Sequence, residues 1–176
     1  MRQKIFFIIL LCLLTLTRSL AENIDEKYVM KPTKNGQLYF ILPFEVPTST
    51  PKCKPLSVDI TYLSSNDSVI MNVSVLSANE LKTDSIVIIG GIRILLSNFE
   101  TFYIEKEGKL WHHRYSLHFL YCELSNLYAS REPFLFRVYS GNQQIEYAFS
   151  MNKWEKERGW MKQILHIIDS NKRLYL

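Results

Sequence analysis

The pattern of residues 134–149 restricts the fold of this chain more than any other part of the sequence. Apolar residues alternate through Phe134 to Ser140 and through Gln143 to Phe149, and Gly141-Asn142 stands between the two runs. A glycine in the first position of a two-residue loop is typical of a type II′ turn, which joins antiparallel strands. The pairs that this turn predicts are Val138 with Ile145, Phe136 with Tyr147, Phe134 with Phe149, and, on the other face, Arg137 with Glu146. Turn, apolar ladder and charge pair therefore predict one hairpin register.

The same period of two runs through the middle of the chain. One face of a predicted hairpin carries Val58, Ile60, Tyr62, Val69, Met71, Val73 and Val75. Polar residues alternate with them, so the hairpin should be half-buried. Residues 85–96 are apolar on both faces except at Gly90-Gly91, which predicts central strands, covered on both sides, with the glycines as a turn or bulge.

A third hairpin is predicted from Phe99 to Glu105 and from Leu110 to about Phe119. Its connection is Lys106-Glu107-Gly108, and a glycine at the end of three residues suits a type I turn with a G1 bulge. That connection places Tyr103 opposite Trp111 and Phe99 opposite Tyr115. The odd positions of the second strand should then face the core, and the even ones should face outward: His112, Arg114, Ser116 and His118.

Helical spacing appears twice. A short helix is predicted near 121–130, ended by Pro133, and a second from about 153 to 169, with Asn152 and Glu155 as its capping box. The apolar face of the second helix consists of Trp154, Trp160, Met161, Ile164, Leu165, Ile167 and Ile168. We expect this face to pack on the core, and the alternative is an amphipathic helix on a membrane surface.

The predicted fold class is α+β. Residues 37–176 should form one β-rich domain, a largely antiparallel sheet or sandwich of about eight to nine strands with the C-terminal helix packed on it. Residues 22–36 are expected to be a flexible N-terminal segment. Residues 37–42 suit a short strand, and the four prolines between 43 and 55 favour a loop or a sheet edge because proline lacks a backbone donor.

Residues 1–21 have the pattern of a cleavable signal peptide. Arg2 and Lys4 precede an apolar run at 5–16. These twelve residues would span about 18 Å as a helix, whereas a bilayer core of about 30 Å needs about twenty. Small side chains before the junction of Ala21 and Glu22 predict cleavage there. The protein should therefore be exported, to a periplasm or beyond the cell. The alternatives are an uncleaved anchor and a buried core helix.

Removing this segment changes the charge and leaves two cysteines. The whole chain has 21 basic and 17 acidic residues. Residues 1–21 contain three of the basic ones, so the mature chain has 21 − 3 = 18 against 17 and is nearly neutral. Nucleic acid is then an unsuitable partner. Cys53 and Cys122 permit one disulfide, and two separate buried thiols fit equally well. Asn66 and Asn72 each begin an N-glycosylation sequon.

No residue pattern predicts a catalytic or metal site. His112, His113 and His118 fall within seven residues, but on a strand His112 and His118 would lie about 20 Å apart and His113 would face the other way. Zinc needs its donors about 2 Å from one point. The carboxylates Glu100, Glu105, Glu107 and Glu123 could pair in a cleft, as a glycoside hydrolase requires, although a position on the surface is commoner. Gly90-Gly91 lacks the further glycines of a nucleotide loop.

The sequence thus favours an exported, non-enzymatic binding or interaction protein of the cell envelope or extracellular space. Its partner would be a protein or an envelope component, without cofactor or metal, and it would meet the membrane only through the signal peptide during export. The alternatives are a small envelope hydrolase and a periplasmic inhibitor or immunity protein. A cleft with convergent carboxylates would favour the enzyme, and an aromatic outer face or an exposed sheet edge would favour the binder.

Overall fold

The structure, a computed structural model, describes residues 24–65, 67–90, 93–96 and 99–174. The predicted signal peptide, the Ala21–Glu22 junction and Asn66 lie outside these ranges. The described residues fold as α+β, with two antiparallel sheets and two helices, and this confirms the predicted fold class.

Ten strands and two helices follow one another along the described chain. The strands are β1 (Tyr28–Thr33), β2 (Gly36–Val46), β3 (Leu56–Leu63), β4 (Ser68–Ser77), β5 (Ser85–Ile89), β6 (Arg93–Leu96), β7 (Phe99–Glu107), β8 (Leu110–Leu120), β9 (Leu135–Ser140) and β10 (Gln143–Ala148). The helices are α1 (Tyr121–Ala129) and α2 (Met151–Leu174). One sheet has the order β1-β2-β3-β4-β8-β7, and the other has the order β10-β9-β5-β6.

The described part of the predicted flexible segment, residues 24–36, contains regular structure. A single 3₁₀ turn at Ile24–Glu26 leads into β1, which pairs with β2 along its whole length. Gly36 closes this hairpin at a φ of +127°, a conformation that side-chain-bearing residues rarely adopt. Five of the six β1 residues are exposed, so β1 shows no alternating apolar pattern from which a strand could be predicted.

Proline is accommodated in β2 at a break in the ladder. The register of β2 against β3 shifts between Ile41 and Phe44, and Pro43 lies within that bulge. A bulge leaves a backbone donor unpaired, so the missing N–H of proline has no cost there. β2 can therefore continue to Val46, beyond the end predicted at residue 42.

The β9–β10 hairpin has the predicted register. Val138 pairs with Ile145 and Phe136 with Tyr147, while the Arg137 Nε donates to Glu146 Oε1 at 2.5 Å. Gly141 has a φ of +55°. Phe134 and Phe149 lie just outside the two strands, where their rings still meet edge to face, 5.8 Å apart.

The other central hairpins agree in part. β3 alternates between buried and half-buried residues as predicted, and Val58, Ile60 and Tyr62 pair with Val73, Met71 and Val69 of β4. β5 is central and buried at Ile86, Val87 and Ile88. Among the described strands, however, β6 lies at the edge of its sheet, so the expectation that it is a central strand is wrong. Ile89 and Arg93 pair with each other, and Gly91 lies outside the described residues.

The register predicted for β7 and β8 is wrong. Glu107 pairs with Leu110, so the connection is the two-residue loop Gly108-Lys109, with Gly108 at a φ of +62°. Phe99 consequently lies opposite Leu117, and a bulge falls between Thr101 and Tyr103. The faces of β8 itself are as predicted, because His113, Tyr115, Leu117 and Phe119 are buried. Ser116 departs from the pattern and is buried between its register partners on β4 and β7.

Both helices exist, and α2 is longer than predicted. Ser150, rather than Asn152, caps α2, because its Oγ accepts the Lys153 N–H at 3.4 Å. The predicted apolar face joins a core that both sheets share; Trp154, for example, contacts Phe134 at 5.1 Å between ring centroids. The Tyr121 hydroxyl on α1 donates to Asp169 of α2 at 2.9 Å. Neither of these helices is long and apolar enough to cross a membrane.

Candidate functional site

The exposed edge of the six-stranded sheet is the candidate functional site. Among the described residues, β7 pairs with β8 and with no other strand. Its first residue, Phe99, is half-buried, and the next eight are exposed. An edge strand of nine residues presents unpaired backbone N–H and C=O groups along its outer side, to which another extended chain can hydrogen-bond. We refer to Phe99–Glu107 as the β7 edge.

Three consecutive large side chains stand out along the β7 edge. Phe102 is 61% exposed, Tyr103 37% and Ile104 38%. Phe102 occupies the bulge, where it has no register partner on β8. Aromatic and β-branched residues favour extended structure and supply contact area at interfaces. Natural edges are commonly protected by short length, proline, charged side chains or a β-bulge. The β7 edge has neither short length nor proline, although it has charged residues and the bulge between Thr101 and Tyr103.

The register sorts the β7 side chains onto two faces, since directly opposed residues of an antiparallel pair point to the same side. Ile104 lies opposite the buried His113, so it belongs to the core face. The outer face carries Glu100, Tyr103, Glu105 and Glu107, which lie opposite Ser116, Arg114, His112 and Leu110. The three glutamates of β7 therefore project on one side of the sheet, whereas Lys106, opposite Trp111, projects on the other.

His112 holds the outer face of this edge together. Its Nδ1 lies 2.9 Å from Glu107 Oε1, and its Nε2 lies 3.4 Å from the Tyr103 hydroxyl. The rings of Tyr103 and His112 meet edge to face at 5.0 Å. Glu105 completes the group, because one ligand atom from each of Glu105, Glu107 and His112 lies within 4.8 Å of the others. Such a set could hold a cation. No other feature of the described residues points to one, and the expectation of no metal stays a prediction.

The basic residue next to this group is neutralised. Arg114 donates to Asp59 Oδ2 at 2.6 Å and to Ser74 Oγ at 2.7 Å. Asn72 donates from its side-chain amide to Asp59 Oδ1 at 2.8 Å. The positive charge of Arg114 is thus paired with Asp59 on the outer face of the sheet. The negative charge beside this pair comes from the β7 glutamates. The Asn72 sequon lies in central strand β4 with its amide nitrogen engaged, which is unlike an exposed glycosylation loop.

The other two histidines of the cluster lie away from His112. β8 is continuous, so His118 is on the same face about 20 Å from His112, and it is exposed. His113 is fully buried, and its Nε2 accepts the Leu81 N–H at 3.3 Å. Burial lowers the pKa of His113 below its ordinary value, which keeps the ring neutral. The structure therefore does not bring the three histidines together.

The disulfide that the sequence permits does not form. Cys53 pairs with Ser77 at one end of β4, while Leu120, two residues before Cys122, pairs with Ser68 at the other end. Nine residues of strand separate these ends by about 30 Å, whereas a disulfide needs Cα atoms within about 7 Å. Both cysteines are free thiols, Cys53 half-buried and Cys122 exposed. Spacing along the chain could not reveal this distance.

Cys53 lines a cavity of about 290 Å³ between the sheets, next to a strained turn. The Cys53 N–H donates to Thr50 O at 3.4 Å, and Lys52 within this turn has a φ of 65°. Proline at the second position and positive φ at the third are typical of a type II turn, in which glycine is the preferred third residue. Burial raises the pKa of the Cys53 thiol, and a raised pKa makes a thiol less reactive as a nucleophile.

The carboxylates considered for hydrolysis lie in different places. Glu100, Glu105 and Glu107 are on the open β7 edge, and Glu123 is on α1, where its Oε2 accepts the Leu120 N–H at 2.7 Å. These four residues therefore do not line one cleft. Sequence reasoning missed the meeting of Glu105 and Glu107 with His112 because it considered histidines along one strand and not carboxylates of the neighbouring strand.

In comparisons with known proteins, no family model, no curated protein and no solved structure matches the chain.

Proposed function

We propose that this protein is an exported, non-enzymatic binding protein that takes an extended segment of a protein or envelope partner onto the β7 edge. The observation that carries the proposal is the length and exposure of β7, which has a hydrogen-bonded neighbour on one side only among the described strands. In strand addition, backbone hydrogen bonds supply affinity and alternate side chains supply specificity. The apolar Phe102 and Ile104 would contact the added strand.

Export is supported by the pattern of residues 1–21 and nothing else on the chain. The mature protein would begin at Glu22 and act in a periplasm or outside the cell. Intact mass of protein recovered from outside the cytoplasm should match a chain that starts at Glu22. A chain that still starts at Met1 would contradict this part of the proposal without affecting the binding edge.

Site-specific photo-cross-linking tests the binding edge. A photoreactive phenylalanine analogue placed at Phe102, in cells that make the protein, should give a discrete cross-linked adduct. The matched control is the same analogue at Met151, an exposed apolar residue at the start of α2, 46% exposed against 61% for Phe102. Equal adduct patterns at the two positions, or none at Phe102, would show that the β7 edge is not the binding surface.

A further inference from the structure

We infer that the strand accepted by the β7 edge is basic at alternate positions and apolar at the positions between them. This inference rests on the proposed function and names the chemistry of the partner: an extended polypeptide segment with lysine or arginine at every second residue. It follows from the spacing of the outer-face glutamates and from the pairing of the neighbouring Arg114 with Asp59.

The spacing comes from the strand itself. A partner strand beside β7 would place every second side chain on the outer face of the sheet. Glu100, Glu105 and Glu107 lie on this same face. Glu105 and Glu107 are two residues apart, so they meet partner residues that are also two apart. Opposite charges in cross-strand positions are favourable, and like charges are unfavourable. The partner residues on this face should therefore be basic.

The charge is local to this edge. The β7 edge contains three glutamates and one lysine, a net charge of 1 − 3 = −2, while the mature chain by count is nearly neutral. Arg114, the strand neighbour of Tyr103, is paired with Asp59 and does not cancel the glutamates, although Glu107 is hydrogen-bonded to His112. A basic peptide should thus be drawn to β7 and not to the protein as a whole.

The other face sets the second half of the pattern. Ile104 lies on the core face of β7. It is 38% exposed because, among the described residues, no strand lies beside β7 on the side away from β8. Partner residues between the basic ones would lie beside Ile104 and extend the apolar layer of the core. A second copy of this chain is a poorer occupant, because two β7 edges would each bring a net charge of −2 to the same ladder.

The test uses three end-blocked nonapeptides with valine at alternate positions and lysine, glutamine or glutamate at the others, added to the chain that starts at Glu22. Affinity is measured by fluorescence anisotropy at low and high salt, and the site by amide hydrogen exchange of β7. The lysine peptide should bind about tenfold more tightly than the glutamine peptide at low salt. It should slow exchange in β7 and lose its advantage at high salt.

A charge variant and a matched control separate this surface from general attraction. The variant Glu100→Gln, Glu105→Gln, Glu107→Gln should weaken binding of the lysine peptide about tenfold. The control Glu26→Gln, Glu132→Gln, Glu155→Gln removes the same charge from exposed positions elsewhere and should change the affinity less than twofold.

The outcomes distinguish this inference from the proposed function. If all three peptides bind equally and protect β7, strand addition stands and the basic partner is refuted. If the lysine peptide binds without protecting β7, or binds the charge variant unchanged, the inference is also refuted. If no peptide protects β7, the proposed function fails with it. A dimer in which β7 is already protected without peptide would assign the edge to a second copy and overturn the basic partner.

Discussion

Replacing glycine by alanine at two positions should move stability in opposite directions. Gly141 has a φ of +55°, and an added Cβ would meet nothing within 4 Å, so backbone strain is the whole cost of Gly141→Ala. Such strain costs about 1–3 kcal/mol. Alanine also lowers the conformational entropy of the unfolded chain, which stabilises the folded state by about 0.4–1 kcal/mol. The net result should be a destabilisation of about 1–2 kcal/mol.

Gly159→Ala is the matched perturbation. Gly159 lies inside α2 on its exposed side, and an added Cβ there also meets nothing within 4 Å. Alanine is favoured over glycine in a helix interior by about 1 kcal/mol. The two variants add the same methyl group, so their free energies of unfolding should differ by about 2–3 kcal/mol.

Urea unfolding of the chain that starts at Glu22 measures this difference. Tryptophan fluorescence is a suitable probe because Trp154 and Trp160 are buried. The midpoint should fall for Gly141→Ala and rise for Gly159→Ala at an unchanged slope. If Gly141→Ala leaves the midpoint unchanged, the β9–β10 turn does not require positive φ, and the reasoning that fixed its register is refuted. A fall for Gly159→Ala would refute its exposed helical position.

Three further perturbations have defined outcomes. Lys52→Gly should stabilise the protein by about 1 kcal/mol by relieving the positive φ, and a lower urea midpoint would mean that the lysine side chain contributes more than this strain costs. Lowering the pH below 6.5 should destabilise the protein in part through His113. Because burial lowers the pKa of His113, the unfolded chain binds the proton first as the pH falls. The stability that His113 contributes above pH 6.5 is therefore lost as the pH approaches the pKa of the folded state. The variant His113→Gln should make the urea midpoint less dependent on pH, and an unchanged dependence would contradict this role of His113. Mass spectrometry should find no intrachain disulfide, and maleimide should label the exposed Cys122 before Cys53; equal labelling rates would contradict the half-buried position of Cys53.

The β9–β10 hairpin shows what sequence can determine in this fold. Its glycine, its apolar pairs and its Arg137–Glu146 pair depend on different physical effects, and all require one register. β1 shows the opposite case. Of its side chains, Tyr28 packs against the core and the other five are exposed, so its pairing with β2 leaves little pattern in side-chain hydropathy.

The β7–β8 hairpin shows why the candidate site could not be predicted. The glycine in Lys106-Glu107-Gly108-Lys109 suits either the end of a three-residue loop or the start of a two-residue loop, and local sequence does not separate the two. The predicted pairing set Tyr103 against Trp111, whereas the structure sets Lys106 there. A shift of three residues is odd, so it moves every β7 side chain near the turn to the other face.

That change of face creates the acidic surface. In the predicted register, Glu105 shares the core face with Tyr103 and Trp111. In the observed register, Glu105 and Glu107 lie outward beside His112, and the apolar Ile104 takes the core side. The two-residue loop thus puts Lys106 in place of Glu105 on the core face, at an exposed position, and gathers the glutamates on the outer face. The register that the Gly108 turn sets is therefore the one that gives the β7 edge its negative outer face, on which the proposed choice of partner rests.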